Sequence, residues 1–223
     1  MSNRDAILGR IRRSLGVSGS DATRLAATRH RLTETPVNVV PARGQLPSAE
    51  RVELFVRKAS EVFASVARLD GRDDIPAAVA NYLRDRNLPQ AVRRGDDPRL
   101  ATLPWDREAQ LAVTVGPSDG KDLVGISHAD AGVAETGTVV LTSGPDNPTT
   151  LNFLPDHHIV VIDASTVAGD YETVWADLRR RFGAGAMPRT VNLVTGPSRS
   201  ADIEETLLLG AHGPRSLYIL VVG

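Results

Sequence analysis

Five short apolar runs in the C-terminal half, Leu111–Val115, Thr138–Thr142, His158–Ile162, Val191–Val194 and Leu217–Val222, show no alternation of apolar with polar residues. A strand with one wet face repeats with period two, whereas a strand covered on both faces is apolar throughout. The runs therefore predict strands buried on both sides, as in a sheet flanked by helices. Helical spacing supplies the flanks. Val52, Phe55, Val56, Ala59 and Phe63 predict a helix from Ser48, its expected cap, to about Ser65. Ile75–Arg84 and Tyr171–Phe182 read as further helices, the latter followed by Gly183 and Gly185. Val66–Leu69 and Gln90–Arg93 add two upstream strands. The expected fold is α/β, with a mostly parallel central sheet between helices.

Residues 1–47 read differently. Ile7, Ile11 and Leu15 mark a short amphipathic helix over 3–15, and the stretch from Gly16 to Pro47 is rich in Gly, Ser, Thr and Pro. The expected organisation is an N-terminal helix and flexible arm over 1–47, then one α/β domain over 48–223. Residues 1–31 carry seven Arg and two Asp, a local charge of 7 − 2 = +5. No aromatic residue is interleaved for base stacking, and the whole chain has a net charge of −1. A nucleic-acid partner is not expected. The chain has no cysteine, so it offers no disulfide, no thiol nucleophile and no thiolate for zinc or an iron–sulfur cluster. The five His show no ligand spacing, and no metal site is expected. The apolar runs are too short to insert in a membrane, and a cytoplasmic location is the simplest reading.

Two loops carry residues with chemical potential. In the first, Asp130 precedes Glu135-Thr136-Gly137-Thr138, which enters a strand. Gly137 permits the positive φ that lets successive N–H groups converge on an anion, with Glu135 at the rim as a general base. The alternative is that Asp130 and Glu135 accept turn hydrogen bonds. The second loop, Thr195-Gly196-Pro197-Ser198-Arg199-Ser200, follows a strand and is expected to open a helix running to Gly210, with Asp202, Glu204 and Glu205 in its first turn. His212 and Gly213 then lie at the far end of that helix, where a lone His is either a site residue or structural. The loops share a site only if strand 138–142 runs antiparallel to its neighbour or the chain loops back over the sheet edge, and they are expected to meet. No G-x-G-x-x-G follows a strand, and Gly116–Asp122 fails as a P-loop. His157 and His158, adjacent on a strand, point to opposite faces.

The stretches ADAGVAETGTVVLTSG (129–144), NFLPDHHIVVI (152–162) and TGPSRSADIEETLLLGAHGPRSLYILVV (195–222) resemble the LUD-domain family, in its lactate utilisation protein C branch. The resemblance covers roughly residues 50–223 and the N-terminal helix. Its motif positions are Asp130, Glu135, Thr136, Gly137 and Thr138, then Gly196, Ser198, Asp202, Glu204, His212 and Gly213. Pro148-Thr149-Thr150 departs from it, standing where many relatives carry an Arg. The resemblance implies a fold like that of sugar-phosphate isomerases and CoA-transferases. It also implies a part in oxidising L-lactate to pyruvate beside partner proteins that carry iron–sulfur clusters.

The leading expectation is a non-redox subunit of a lactate-oxidising assembly that binds a small carboxylate between the two loops. Glu135 and Asp202 are its candidate catalytic residues, and the other motif positions its candidate ligand-binding residues. No cofactor is expected in this chain. The alternatives are a stand-alone enzyme acting on a sugar phosphate, acyl-CoA or folate-type substrate, and a non-catalytic scaffold.

Overall fold

The structure, a computed structural model, describes residues 3–34, 36–183, 185–203 and 206–223. It divides into two compact units, Met1–Val39 and Val40–Gly223. The first contains α1 (Asn3–Ser14) and α2 (Ala22–Thr33), neither with a buried residue. Asp21 caps α2 by accepting from the Arg24 amide at 3.0 Å. Ile7, Ile11 and Leu15 are exposed.

The second unit contains α3 (Ser48–Glu61), β1 (Ser65–Leu69), α4 (Ile75–Asp85), β2 (Ala91–Arg94), α5 (Pro98–Ala101), β3 (Ala112–Val115), β4 (Val124–His128), β5 (Ala131–Val133), β6 (Thr138–Thr142), β7 (His157–Asp163), β8 (Val167–Ala168), α6 (Tyr171–Phe182), β9 (Val191–Val194), β10 (Arg199–Ile203), β11 (Thr206–Leu209) and β12 (Ser216–Val222). Six strands form a wholly parallel sheet in the order β1-β12-β7-β4-β2-β3. The parallel central sheet is as expected, and its inner strands are apolar because both faces are covered. On one face α4 places Ile75, Val79 and Leu83 against Ile126, Ile159, Val161 and Leu220. On the other, Phe55 and Ala59 of α3 meet Val160, Ile162, Leu217, Ile219 and Val221, together with Val139 and Leu141 of β6.

β6 is not in that sheet. It belongs to a separate four-stranded sheet, β8-β5-β6-β9, in which it runs antiparallel to both β5 and β9. Val174 and Leu178 of α6 cover the outer face of this sheet against Val133 and Val140. The expected single sheet is thus two, and β9 does not end at the carboxyl edge of the parallel one. Both faces of β6 are buried, one on the parallel sheet and one on α6, so its apolar run gives no sign of which sheet holds it.

Three further expectations are corrected. α3 begins at Ser48 but is not capped by its hydroxyl; Pro47 holds the cap position. α3 also ends at Glu61, because Phe63 turns the chain at φ 69° and Ser65 already pairs with Tyr218 in the sheet. The expected helix from Arg199 to Gly210 is a β-hairpin, β10 pairing antiparallel with β11. Its base is closed by Ser198 N–H to the Pro214 carbonyl at 2.8 Å and Gly210 N–H to the Ser198 carbonyl at 3.0 Å. These ties bring the ends of the segment together, which a helix would hold apart, so tertiary closure overrides the local helical pattern.

Candidate functional site

The two loops do meet. Val139 pairs with Val194 across β6 and β9, so the residue entering one strand lies beside the residue leaving the other. Thr138 Oγ1 is 2.7 Å from Thr195 Oγ1 and 2.8 Å from the Tyr171 hydroxyl, and Thr136 Oγ1 is 2.7 Å from Thr138 Oγ1. Four hydroxyls thus form one chain of hydrogen bonds at the end of the small sheet.

The loop amides do not form an anion nest. Ala134 and Glu135 N–H donate to Ala168 and Gly169 carbonyls, and Thr136 and Gly137 N–H donate to Val133. Gly137 has the expected positive φ of 68°, but the space a side chain would fill is taken by the Ala59 backbone nitrogen, 2.1 Å from an ideal Cβ. Gly196 repeats the arrangement at φ 76°, with the Val62 carbonyl oxygen 2.2 Å from its Cβ position. Both glycines dock the loops on the end of α3. Glu135 is not at a rim: its side chain is buried and faces Arg43 at 3.4 Å.

Asp130 lies apart from this end of the small sheet. Its buried carboxylate accepts from Thr142 N–H at 2.9 Å and Thr142 Oγ1 at 2.5 Å, and pairs with Arg181 at 2.5 Å and Arg99 at 3.4 Å. Burial works against the charge, but these donors win and hold the carboxyl below its usual range. Asp202 falls on β10, not on a helix, and Glu204 lies outside the described residues.

Ser198, Gly196, His212 and Gly213 do come together, because the hairpin returns the chain to its start. They line a groove of about 240 Å³ between Asn152–Phe153, β9 and the start of β12. His212 N–H donates to Ser198 Oγ at 3.3 Å, which leaves the hydroxyl hydrogen of Ser198 free to point elsewhere. His158 also lines the groove, from the parallel sheet. As expected, its neighbour faces the other way: His157 Nδ1 meets the Tyr82 hydroxyl at 2.9 Å, while His158 Nε2 meets Ser127 Oγ at 3.1 Å. Ser127 in turn donates to Asn152 Oδ1 at 3.0 Å. Burial pushes the His158 pKa down to about 3, so the ring is neutral near neutral pH.

Sequence reasoning missed a second cluster, at the carboxyl ends of the parallel strands. Arg72, just after β1, makes two 2.8 Å bonds to Asp163 at the end of β7 and lies 3.3 Å from His128 Nε2 at the end of β4. His128 Nδ1 lies 2.8 Å from the Ala129 carbonyl, which fixes its hydrogen there. Burial, then the Arg99 charge, lower its pKa. Arg99 clasps Asp97 through bonds of 2.6 to 3.2 Å. Burial opposes ionisation of Asp97, but the bonds from Arg99 hold its pKa low. Every charge in the cluster has an opposite partner, and its members are single residues at strand ends with no local motif to announce them. Among the described residues no group of three or more His, Asp or Glu could hold a metal ion.

The LUD domain family matches residues 52–222, a span holding the groove, the hydroxyl chain and the strand-end cluster; the chain belongs to this family. It is 41% identical over 153 residues to an uncharacterized protein of Neisseria meningitidis serogroup B, covering 66% of this chain and 64% of that one. It is 41% identical over 100 residues to the lactate utilization protein C of Halalkalibacterium halodurans, covering 44% of each. The chain thus spans less than two thirds of the length of these relatives. A DUF162 family protein from Deinococcus radiodurans shares the fold, with a TM-score of 0.56 and 21% identity over 80% of this chain and 99% of that one.

Proposed function

We propose that this chain acts in L-lactate utilisation, as a subunit with no redox centre of its own that binds a small carboxylate in the groove of Ser198 and His212. The match to the LUD domain over residues 52–222, with relatives named lactate utilization protein C, is the observation that carries this reading. The groove supports it by size and by chemistry. At about 240 Å³ it falls below the range typical of drug-sized ligands. The Ser198 hydroxyl and the Asn152 amide, which stand in its wall beside Thr195, His158 and His212, are polar groups suited to a carboxylate. Oxidation of lactate to pyruvate releases two electrons, and a chain without cysteine supplies no thiolate to hold an iron–sulfur cluster for them. The electrons therefore pass, in this reading, to partner proteins that carry such clusters.

Calorimetric titration of the purified chain with L-lactate and with pyruvate tests the carboxylate site. Binding of at least one of them is expected, weakened roughly tenfold by Ser198→Ala through loss of one bond to a charged group. Absence of binding for both at millimolar concentration overturns the reading.

A further inference from the structure

Away from the groove, α6 and the segment that follows β7 enclose a cavity of about 360 Å³, which shares no lining residue with the groove. It opens where Ser165 and Thr166 follow the carboxyl end of β7, the edge at which parallel sheets most often take their ligands. Its size is that of a small-molecule site. Two guanidinium groups and three carboxylates line it, and four of these five are held within the protein. Asp130 is held by Thr142, Arg99 and Arg181, Asp170 accepts from Gln45 and Thr173, and Asp177 pairs with Arg180.

The fifth is Arg51. Its side chain makes no ion pair and no hydrogen bond among the described residues, and its Nε is closed off from water without an acceptor. An enclosed N–H left unpaired costs the desolvation of that group in full, and such groups are few in folded proteins. Asp177 uses Oδ1 for Arg180, which leaves Oδ2 to accept.

We propose that this cavity binds a polyhydroxylated monocarboxylate, a sugar acid, whose carboxylate pairs with Arg51 while its hydroxyls meet Ser165 and Asp177. The planar guanidinium fork matches a carboxylate. The lining calls for one negative charge, because Arg51 is its one unmatched cation. A phosphate dianion would lie near Asp170, whose charge is met by neutral donors alone. This site does not depend on the lactate reading of the groove.

The test is calorimetry on the full chain with gluconate, sorbitol and inorganic phosphate, in wild type, Arg51→Gln and Ser198→Ala. Gluconate is expected to bind wild type and Ser198→Ala alike. Sorbitol, which has the same chain without the carboxylate, should bind at least tenfold more weakly, and Arg51→Gln should weaken gluconate roughly tenfold. That variant removes no side-chain bond present in the free chain, so its thermal midpoint should match wild type. Should it fail to fold, the wild-type amide resonances decide: those of Ser165, Thr166 and Thr173 should move on adding gluconate, and those of Ser198 and Gly213 should not. Gluconate binding that is absent, unchanged in Arg51→Gln or lost in Ser198→Ala overturns the site. Phosphate binding tighter than gluconate overturns its assignment to a singly charged acid.

Discussion

His158 makes the fold sensitive to acid as well as furnishing the groove. Its pKa is about 3 in the folded chain, against 6.5 for the free side chain. Between those values the unfolded chain binds a proton that the native chain refuses, so stability falls as pH drops from about 6.5 toward about 3. His157 and His128 are lowered by burial as well and pull in the same direction. Urea unfolding between pH 7 and pH 4 should show midpoints falling steadily, and His158→Phe should make the fall shallower. Equal slopes for the two proteins would mean that another group governs the acid response. Gly137 and Gly196 set the other single-residue constraint. At each, a β-carbon would need both an unfavourable left-handed φ and space held by backbone, that of Ala59 in α3 for Gly137 and that of Val62 just past α3 for Gly196. Gly137→Ala or Gly196→Ala is expected to cost about 2–4 kcal/mol, read as a lowered thermal midpoint. Little change would show that the loops are not clamped to the helix.

Among the elements, α6 depends on Asp170, whose Oδ1 accepts from the Thr173 amide at 2.8 Å as an N-cap while Oδ2 takes the Gln45 amide at 2.8 Å. Asp170→Ala should lower stability by about 1–2 kcal/mol, and Gln45→Ala by less, measured by chemical denaturation. The strands most plainly visible beforehand were those whose apolar runs are continuous, β3, β6, β7, β9 and β12, although β3, expected to be buried on both faces, lies at the sheet edge and is largely exposed. β4 escaped notice because Val124–His128 contains Gly125, Ser127 and His128, although every one of its residues is buried. Those are the residues the site needs, since Ser127 and His128 both carry hydrogen bonds that apolar residues could not. The hairpin was misread because Ser198, Gly210 and Pro214 act on one another across a span that local spacing does not sample. Ser198, His212 and Gly213 were thus each singled out beforehand, but the expected helix set His212 and Gly213 at its far end from Ser198, so their meeting went unforeseen. His158 was seen only as the neighbour of His157 on the opposite face.

At the scale of the molecule, Val40–Pro47 goes with the second unit. Gly44 packs so closely on Gly169 that a Cβ at either position would lie 2.2 Å from the other's carbonyl oxygen. Arg43 meets Glu135, and Gln45 meets Asp170. Deleting residues 1–39 should therefore leave the thermal midpoint of the α/β unit nearly unchanged, whereas deleting 1–47 should lower it by several degrees. Indistinguishable truncations would refute the structural part given to residues 43–45. The same unit contains two sheets that share a core but no hydrogen-bonded strand pair, and the groove runs along their seam. A seam of that kind can part by sliding side chains while every ladder bond in β4, β7, β9 and β12 stays made. Widening of the groove therefore need not break those ladders, and amide exchange in those strands should remain as slow in the presence of lactate as in its absence.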